Sequence, residues 1–258
     1  MSQLLDIELV KELVVECGKD ALVRQANVKA EFKPDTSYIT EIDLSIEQLL
    51  SARLKVRYPD YAFVGEEFGR HGDAGAPLWA VDPIDGTTNM VFGLPSWGVS
   101  LGLLVDGVPE GGAFYMPATD QLFWAVRGQG SWLNGRRLHV TDRDAFHPED
   151  TMGFTSGAAK MFNVEDLPGR IRCLGSIAGD VCYTGSGAYC SMVGRCEGVV
   201  DMAAALCVAT EAGCIAEYVT GEPLVLGDIL DTGKTPRPFI VAPPRLTQML
   251  RRELKERA

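Results

Sequence analysis

Two carboxylates stand three residues apart directly after an apolar run: Asp82 and Asp85, within residues 79–89 (WAVDPIDGTTN). The proline between them fixes its own φ, and the glycine that follows permits conformations closed to other residues, so the chain can turn sharply here. Such a turn can aim both Asp side chains and the Ile84 carbonyl at one point. These are hard oxygen donors of the kind that Mg²⁺ prefers. The segment therefore predicts a divalent-metal site at the carboxyl end of a buried strand.

Behind the acids, the backbone N–H groups of Gly86 and Thr87 would open a short helix and can receive an anion. Oxygen ligands beside such a cradle indicate Mg²⁺ together with a phosphate group. Upstream, Glu66 and Glu67 follow the apolar run 61–64. Strand-end loops on the same edge of a sheet converge, so Glu66 is predicted to join Asp82, whereas Glu67 alternates away and is the weaker candidate.

A family resemblance rests on these motifs. Gly65-Glu-Glu followed by Asp82-Pro-Ile-Asp-Gly-Thr resembles the signature of the inositol monophosphatase family, whose members hydrolyse phosphate monoesters with Mg²⁺. Two further blocks, residues 40–43 (TEID) and 201–213 (DMAAALCVATEAG), extend the likeness from about residue 33 to about residue 213. The resemblance implies two Mg²⁺ ions, with a third known in the family, and these metal ligands: Glu66, Asp82, the Ile84 carbonyl, Asp85 and Asp201.

The resemblance also implies roles in catalysis and substrate binding. Asp43 would help Thr87 to orient the attacking water beside the Glu66 metal site, although Thr-x-x-Asp before an apolar stripe is also a capping-box pattern, and one residue can serve both purposes. Gly86 and Thr87 would bind phosphate oxygens. Gly175-Ser176-Ile-Ala178 resembles a family turn in which a hydroxyl and backbone N–H groups face the substrate, which makes Ser176 and Ala178 candidate substrate contacts.

One departure from the family pattern concerns the substrate. Family members with inositol specificity place several residues, including an acid that contacts substrate hydroxyls, between a strand and the Asp-x-Ala-Ala helix. Here Gly198-Val-Val200 reads as that strand and adjoins Asp201 directly. Either the recognition loop is deleted, or Asp201 aligns with the substrate-contacting acid and the metal ligand is lost. The first alternative keeps the register of the helix and is favoured.

Composition limits the partners. The 258 residues carry a net charge of -11 with a pI near 4.8, which argues against nucleic acid or an anionic membrane as a partner. Seven cysteines in irregular positions, without a CxxC pair, indicate reduced thiols. The N-terminal residues show neither a basic start nor a long apolar run, so no signal peptide is expected and a cytoplasmic location is predicted.

Hydrophobic periodicity predicts the frame that must position these groups. Helices are expected from Leu4 to about Gln25 and from Thr40, followed by an antiparallel meander over residues 97–133. The second half is predicted to be α/β, with a helical region over 179–195 and a helix that begins at Asp201. We expect an N-terminal metal-binding half (1–147) and a C-terminal half (148–258) in one compact unit. The resemblance implies a layered αβαβα fold and a homodimer.

These observations together predict a Mg²⁺-dependent hydrolase for a small polyol or sugar-like phosphate monoester. Features of the loop after Gly65 and of Pro95-Ser-Trp97 also resemble the histidinol-phosphatase branch of the family. A fructose-1,6-bisphosphatase with the same metal site is a further alternative. A non-catalytic binding or regulatory family member would be expected to lose one or more acids, and the acids named above are present.

Overall fold

The computed structural model describes residues 4–230 and 232–257. The N-terminal start, on which the expected absence of a signal peptide partly rests, lies outside the described residues. No described helix has an apolar stretch long enough to cross a membrane. The α-helices within the described ranges are α1 (Ile7–Arg24), α2 (Glu41–Arg57), α3 (Thr87–Val91), α4 (Ser156–Met161), α5 (Ile177–Ser186), α6 (Val199–Glu211) and α7 (Pro244–Glu253).

The strands form a small hairpin, a large sheet and a smaller sheet. The hairpin pairs β1 (Ala30–Phe32) with β2 (Tyr38–Thr40). The large sheet contains β3 (Ala62–Gly65), β4 (Gly69–His71), β5 (Leu78–Asp85), β6 (Gly98–Val105), β7 (Val108–Met116), β8 (Gln121–Val126), β9 (Gly130–Leu133) and β10 (Arg136–Arg137), in the order β10-β9-β8-β7-β6-β5-β3-β4. The smaller sheet contains β11 (Thr151–Phe154), β12 (Arg170–Arg172), β13 (Ser191–Gly194), β14 (Ile215–Tyr218) and β15 (Phe239–Ala242), in the order β12-β11-β13-β15-β14.

The antiparallel meander predicted over residues 97–133 is β6 to β9, and β5 and β10 extend it antiparallel at either side. Its hairpin turns carry positive φ at the residues that the sequence indicated: 51° and 75° at Asp106-Gly107, and 46° and 80° at Asn134-Gly135. Turns of this kind match the twist of the strands they join. The exception to the antiparallel pattern is β3, which runs parallel to β5, with Gly65 opposite Val81. The carboxyl ends of these two strands therefore open onto the same edge of the sheet.

The layers follow the αβαβα arrangement that the resemblance implied. Helices α1 and α2 cover one face of the large sheet around Leu13, Leu50 and Trp79. Helices α5 and α6 fill the space between the two sheets. Helices α4 and α7 cover the far face of the smaller sheet around Phe154 and Leu246. The fold class expected from the family is confirmed.

Helix α6 can lie deep between the sheets because both surfaces present small residues. A Cβ on Gly102 of β6 would lie 2.6 Å from the backbone nitrogen of Ala204, so only glycine permits this approach. The helix is apolar on nearly its whole circumference from Met202 to Ala209, as expected for a helix buried on all sides. A helix from the C-terminal half is thus packed directly under the N-terminal sheet.

Several predicted elements differ from the structure. Strand β6 is buried on both faces instead of one, because α6 covers the face opposite α1. The helix expected over 179–195 is α5 followed by β13, since Gly187 takes φ 79° and ends α5. Residues 199–200 were expected in a strand and instead begin α6, with Gly198 as N-cap, so the helix does not begin at Asp201.

Candidate active site

One polar cavity of about 290 Å³ lies where the carboxyl ends of β3 and β5 meet the start of α5 and α6. The predicted residues that line it are Glu66, Asp82, Ile84, Asp85, Gly86, Thr87, Ser176 and Asp201. They come from four separate segments of the chain. The structure therefore brings together eight of the ten predicted site residues, and the other two, Asp43 and Ala178, lie behind the cavity wall.

Strand β5 delivers the two aspartates. Its pairing with β6 is regular up to Asp82 opposite Ser100 and then shifts register before Asp85. The irregularity lets both acids approach the cavity although three residues separate them, and the Asp82 carboxylate accepts a hydrogen bond from the Ile84 N–H at 2.9 Å. Asp82 is 2% exposed and Asp85 4% exposed. Burial, followed by the charges of Glu66, Asp85 and Asp201, raises the pKa of Asp82 well above its ordinary value.

Asp85 is held by the first turn of α5. Its carboxylate accepts hydrogen bonds from the Ile177 N–H at 3.1 Å, from the Ala178 N–H at 3.0 Å and from the Ser176 hydroxyl. Burial still raises the pKa of Asp85 to about 7, because the Ser176 bond offsets only part of the burial and Asp201 repels the charged form. Ser176 and Ala178, predicted to contact substrate, are both buried and orient Asp85 here, and Ala178 does not line the cavity.

The loop that carries Glu66 is supported by Glu47, a residue that the sequence analysis did not identify. Glu47 of α2 is fully buried, and its carboxylate accepts hydrogen bonds from the Glu67 and Phe68 N–H groups, both at 2.8 Å. A Cβ on Gly65 would overlap the Glu47 carboxylate, so only glycine allows this support. The Lys33 ammonium donates hydrogen bonds to the Glu66 carboxylate at 2.8 Å and to the Glu67 carboxylate at 2.7 Å. Burial raises the pKa of Glu67 to about 7.

Asp43 completes a capping box and also contacts Thr87, and its proposed catalytic role depends on that contact. One oxygen of its carboxylate accepts from the Thr40 N–H at 3.0 Å and from the Thr40 hydroxyl, which completes the capping box of α2. The other oxygen lies 3.1 Å from the Thr87 hydroxyl. That hydroxyl is also 2.9 Å from the Ile84 carbonyl. Asp43 is therefore the buried support behind Thr87.

Asp201 enters the cavity from the first turn of α6. Its carboxylate accepts a hydrogen bond from the Gly198 N–H at 2.6 Å, the reciprocal half of a capping box. Burial and then the charge of Glu66 raise the pKa of Asp201, and the Gly198 bond opposes the shift. Asp201 thus faces the same group of acids as Asp82 and Asp85, which favours the alignment that keeps it among the predicted metal ligands.

The donor set fits hard divalent cations. Several buried or partly buried carboxylates share one small cavity, where they raise one another's pKa, and a backbone carbonyl lies beside them. Across residues 4–230 and 232–257, no group of three or more His, Cys, Asp or Glu side chains is arranged so that it could hold a metal ion as it stands. The acids are nevertheless carboxylates of the type that Mg²⁺ and Ca²⁺ prefer, and neither thiolate nor imidazole is among the lining groups.

A short buried link joins the two halves at the site. Asn89 is 6% exposed, and its amide nitrogen donates to the Ser96 carbonyl at 2.5 Å and to the Leu174 carbonyl at 2.6 Å. Gly86 stands close by with φ 91°, and a Cβ there would lie 3.0 Å from the Ser96 carbonyl. The phosphate cradle predicted from the sequence is thus fixed against the turn that precedes Ser176.

The C-terminal wall of the cavity carries two acids that sequence reasoning missed, Asp180 and Glu197, together with Lys234. Asp180 lies in the first turn of α5 and Glu197 precedes α6. Glu197 therefore lies between strand β13 and Asp201, where the sequence analysis expected no acid. That reading failed because it assigned residues 198–200 to the strand, whereas the strand ends at Gly194 and leaves a loop that contains Glu197.

A larger apolar cavity of about 500 Å³ lies elsewhere, between α6, β14 and the turn at Gly107. Leu206, Leu224 and Leu226 form much of its wall. None of the predicted site residues lines it. The chemistry is therefore assigned to the smaller cavity, where the acids and the backbone turn of Gly86 meet.

Comparison with known proteins identifies the family of the chain. The sequence model of the inositol monophosphatase family matches residues 4–256. The chain is 34% identical over 241 residues to the inositol-1-monophosphatase of Rhizobium meliloti, covering 87% of this chain and 90% of that protein. It is 31% identical over 228 residues to the fructose-1,6-bisphosphatase/inositol-1-monophosphatase of Aquifex aeolicus, covering 85% of each.

A solved structure shows the same architecture. The extragenic suppressor protein SuhB of Bartonella henselae superposes with a TM-score of 0.84 at 26% identity, covering 96% of this chain and 97% of that one. Sequence and fold thus lead to the same assignment. The chain belongs to the inositol monophosphatase family and is a phosphate monoester hydrolase.

Proposed function

We propose that this hydrolase removes phosphate from a small polyol or sugar-like phosphate monoester with the aid of Mg²⁺. The observation that carries the proposal is the convergence of Glu66, Asp82, Asp85 and Asp201 in one cavity beside the turn at Gly86 and Thr87. A cavity of about 290 Å³ suits a small substrate, since sites for drug-sized ligands run from about 300 to 1,000 Å³. The net charge of -11 means that a phosphate dianion must be attracted locally.

Two groups of ligands would hold the metal. Glu66, Asp82 and the Ile84 carbonyl would bind one Mg²⁺, while Asp82, Asp85 and Asp201 would bind a second, with Asp82 shared. Bound there, Mg²⁺ supplies Lewis-acid chemistry that lowers the pKa of a water and stabilises the departing oxygen.

The chain's own residues would prepare the nucleophile. The Thr87 hydroxyl can donate its hydrogen bond to the Asp43 carboxylate at 3.1 Å, and its oxygen lone pairs can then accept a hydrogen bond from a water. The capping box fixes the Asp43 carboxylate, so the direction of the Thr87 hydroxyl is set by a rigid helix end. Asp43 and Thr87 would thus orient the attacking water in line with the phosphorus.

The backbone would hold the phosphate. The N–H groups of Gly86 and Thr87 are proposed to bind phosphate oxygens, and the positive φ of Gly86 makes the turn possible. Asp85 is kept in place by Ser176 and by two N–H groups of α5, so it can serve as a ligand without moving. With an oriented water available, no covalent phosphoenzyme is required.

A second substrate class merits a place in the same test. The Aquifex aeolicus relative carries both a fructose-1,6-bisphosphatase and an inositol-1-monophosphatase name. The proposed metal ligands would act on either ester. Only residues that face the alcohol part of the substrate would distinguish the two esters. Bisphosphate hydrolysis is therefore the second candidate.

We also propose that the active protein is a homodimer and that it is located in the cytoplasm.

Phosphate release over a substrate panel tests the proposal. The purified chain would be stripped of metal and assayed with inositol monophosphate, glycerol phosphate, histidinol phosphate and fructose 1,6-bisphosphate, with and without Mg²⁺. We expect turnover of at least one small ester that requires Mg²⁺. If none of these esters released phosphate in the presence of Mg²⁺, the result would falsify the proposed function.

A further inference from the structure

A second acidic pair, separate from the proposed metal ligands, lines the same cavity. Asp180 comes from α5 and Glu197 from the loop before α6, and both line the cavity with Lys234. Neither belongs to the proposed metal set. The mechanism above gives these two acids no task, although the placement of carboxylates inside a small cavity is costly without a partner.

Asp180 has an oxygen without a partner. Its side chain is 1% exposed, and Oδ1 forms no hydrogen bond with any described residue. The Tyr189 hydroxyl approaches the same carboxylate and lowers the pKa of Asp180 in part. A buried acceptor left unsatisfied destabilises a fold, because it has lost its hydrogen bonds to water without replacement. A donor from a bound molecule would complete this group.

The charges around the pair are unbalanced. Burial, then Asp85, then Glu197 raise the pKa of Asp180 to about 8. Burial, then Asp201, then Asp85 raise the pKa of Glu197 to about 8, and Lys234 lowers it only in part. Lys234 is exposed, whereas Asp180 is buried and Glu197 half-buried. Lys234 is the one cation among the described residues that line the cavity, and it is exposed, so a group that brings positive charge suits the Asp180 and Glu197 carboxylates.

We propose that the alcohol part of the substrate carries a protonated amine, which binds between the Asp180 Oδ1 and the Glu197 carboxylate. An ammonium offers three donors and a positive charge, whereas a hydroxyl offers one donor and no charge. Hydrogen bonds between an ammonium and a carboxylate are about twice as strong as neutral ones. The inference rests on the proposed function, because the same phosphate must reach Gly86 and Thr87.

A series of esters of matched length tests the site. Phosphate release with Mg²⁺ would be measured for 2-aminoethyl, 2-hydroxyethyl and n-propyl phosphate, which differ in the terminal group of the alcohol. We expect kcat/KM for the aminoethyl ester to exceed the values for the other two esters by about tenfold. A single charge-assisted hydrogen bond has an effect of at least this size. The Asp180→Asn variant should bring this ratio close to one, because the amide replaces one acceptor by a donor and removes the charge.

Two further variants complete the experiment. Glu197→Gln should also lower the ratio, which keeps the test decisive if Asp180→Asn does not fold. Asp120→Asn is the matched control, since Asp120 accepts from the Tyr115 hydroxyl at 2.8 Å on the exposed surface away from the cavity. This variant should keep the wild-type ratio.

The outcomes separate the two proposals. Hydrolysis of all three esters without an aminoethyl preference overturns the ammonium site alone. A preference that survives unchanged in both Asp180→Asn and Glu197→Gln overturns it as well, because the selecting group then lies elsewhere. Absence of Mg²⁺-dependent release from every ester, including those of the panel above, overturns the phosphatase proposal and the ammonium site with it.

Discussion

The two walls of the cavity are built in opposite ways. On the wall formed by β3 and β5, the acids are oriented by neighbouring groups: Glu47 holds the Glu66 loop, and the first turn of α5 holds Asp85. On the C-terminal wall, Asp180 has an oxygen with no hydrogen-bond partner among the described residues, and Glu197 lies in a loop. The first wall is preorganised and the second has unused acceptors.

This difference assigns different work to the two walls. Groups that bind a metal and orient a water must be held within a narrow geometry, which requires supporting hydrogen bonds. Groups that select a substrate act by completing their hydrogen bonds only when the correct ligand arrives. We therefore expect changes on the first wall to abolish turnover for every ester, and changes on the second to alter the choice among esters.

The largest effect is expected from Asp85→Asn. The amide keeps the shape of the side chain but removes the charge and one acceptor from the proposed metal site. We expect kcat/KM to fall at least about 100-fold for all esters, since even outer partners of metal ligands change activity by 10–100-fold. Phosphate release and Mg²⁺ titration by calorimetry would measure it. Substantial Mg²⁺-dependent activity in this variant would remove Asp85 from the metal set and blur the contrast between the walls.

Thr87→Val comes next. The methyl group fills the place of the hydroxyl, so the link between Asp43 and the attacking water is lost while the backbone cradle remains. We expect kcat to fall by roughly 10²-fold, the lower end for loss of a proton-transfer group, with a smaller change in KM. Thr87→Ser restores the hydroxyl and should recover most of the activity. Equal losses in the Val and Ser variants would show that packing, and not the hydroxyl, matters at this position.

Gly65→Ala tests the support under the first wall. The added methyl group would overlap the fully buried Glu47 carboxylate, so the Glu66 loop must shift. We expect the free energy of unfolding to fall by about 1–3 kcal/mol, as for other overpacked sites, together with weaker Mg²⁺ binding. Urea unfolding would measure the first and calorimetry the second.

Gly157→Ala is the control for this experiment. Gly157 lies in α4 at ordinary φ, and a Cβ there meets nothing closer than the Arg195 carbonyl at 4.0 Å. Alanine has the higher helix propensity, so stability should stay the same or rise slightly. If both variants lost equal stability, the clash with Glu47 would not be the cause.

The smallest effect concerns pH. Burial raises the pKa of Asp85 from 3.8 to about 7 in the folded chain. Such a carboxyl stabilises the fold below its unfolded pKa, and this stability is lost as the pH rises through the folded value. The Tm of the metal-free protein should therefore fall by several degrees between about pH 4 and pH 8, since 1 kcal/mol corresponds to about 2–4 °C at this length.

Saturating Mg²⁺ should reverse this trend, because the cation binds the charged carboxylates and a proton competes with it. Thermal scans at several pH values, with EDTA or Mg²⁺, would measure both curves. A Tm that is independent of pH in EDTA and unaffected by Mg²⁺ would show that the carboxylates of the first wall do not repel one another in the folded protein.

The sequence was most informative where function is written in adjacent residues. The Asp82 to Thr87 segment combines an apolar strand, a turn and paired acids within one short stretch, so its place at a strand end was predictable. The capping box of Thr40 and Asp43 and the turns at Asp106 and Asn134 were also readable, because each depends on local backbone chemistry.

The rest depended on contacts between distant segments. Glu47 looks like an ordinary helix residue in sequence, and its burial under the Glu66 loop follows from the packing of α2 against β3. Glu197 was overlooked because the length of β13 is set by its pairing with β11 and β15, which local pattern does not reveal. Ser176 lines the cavity, and its hydroxyl donates to Asp85 across 91 positions of the chain, a contact that the sequence did not reveal.

By itself, the sequence determined the layered α/β class, the family and the short acidic motif, since these are encoded in periodicity and in neighbouring residues. Only the tertiary structure decided which acids are supported and which retain a free acceptor. The physical reason is that the pKa and the hydrogen bonds of a buried carboxylate depend on what surrounds it, and those surroundings come from parts of the chain that are far apart in sequence.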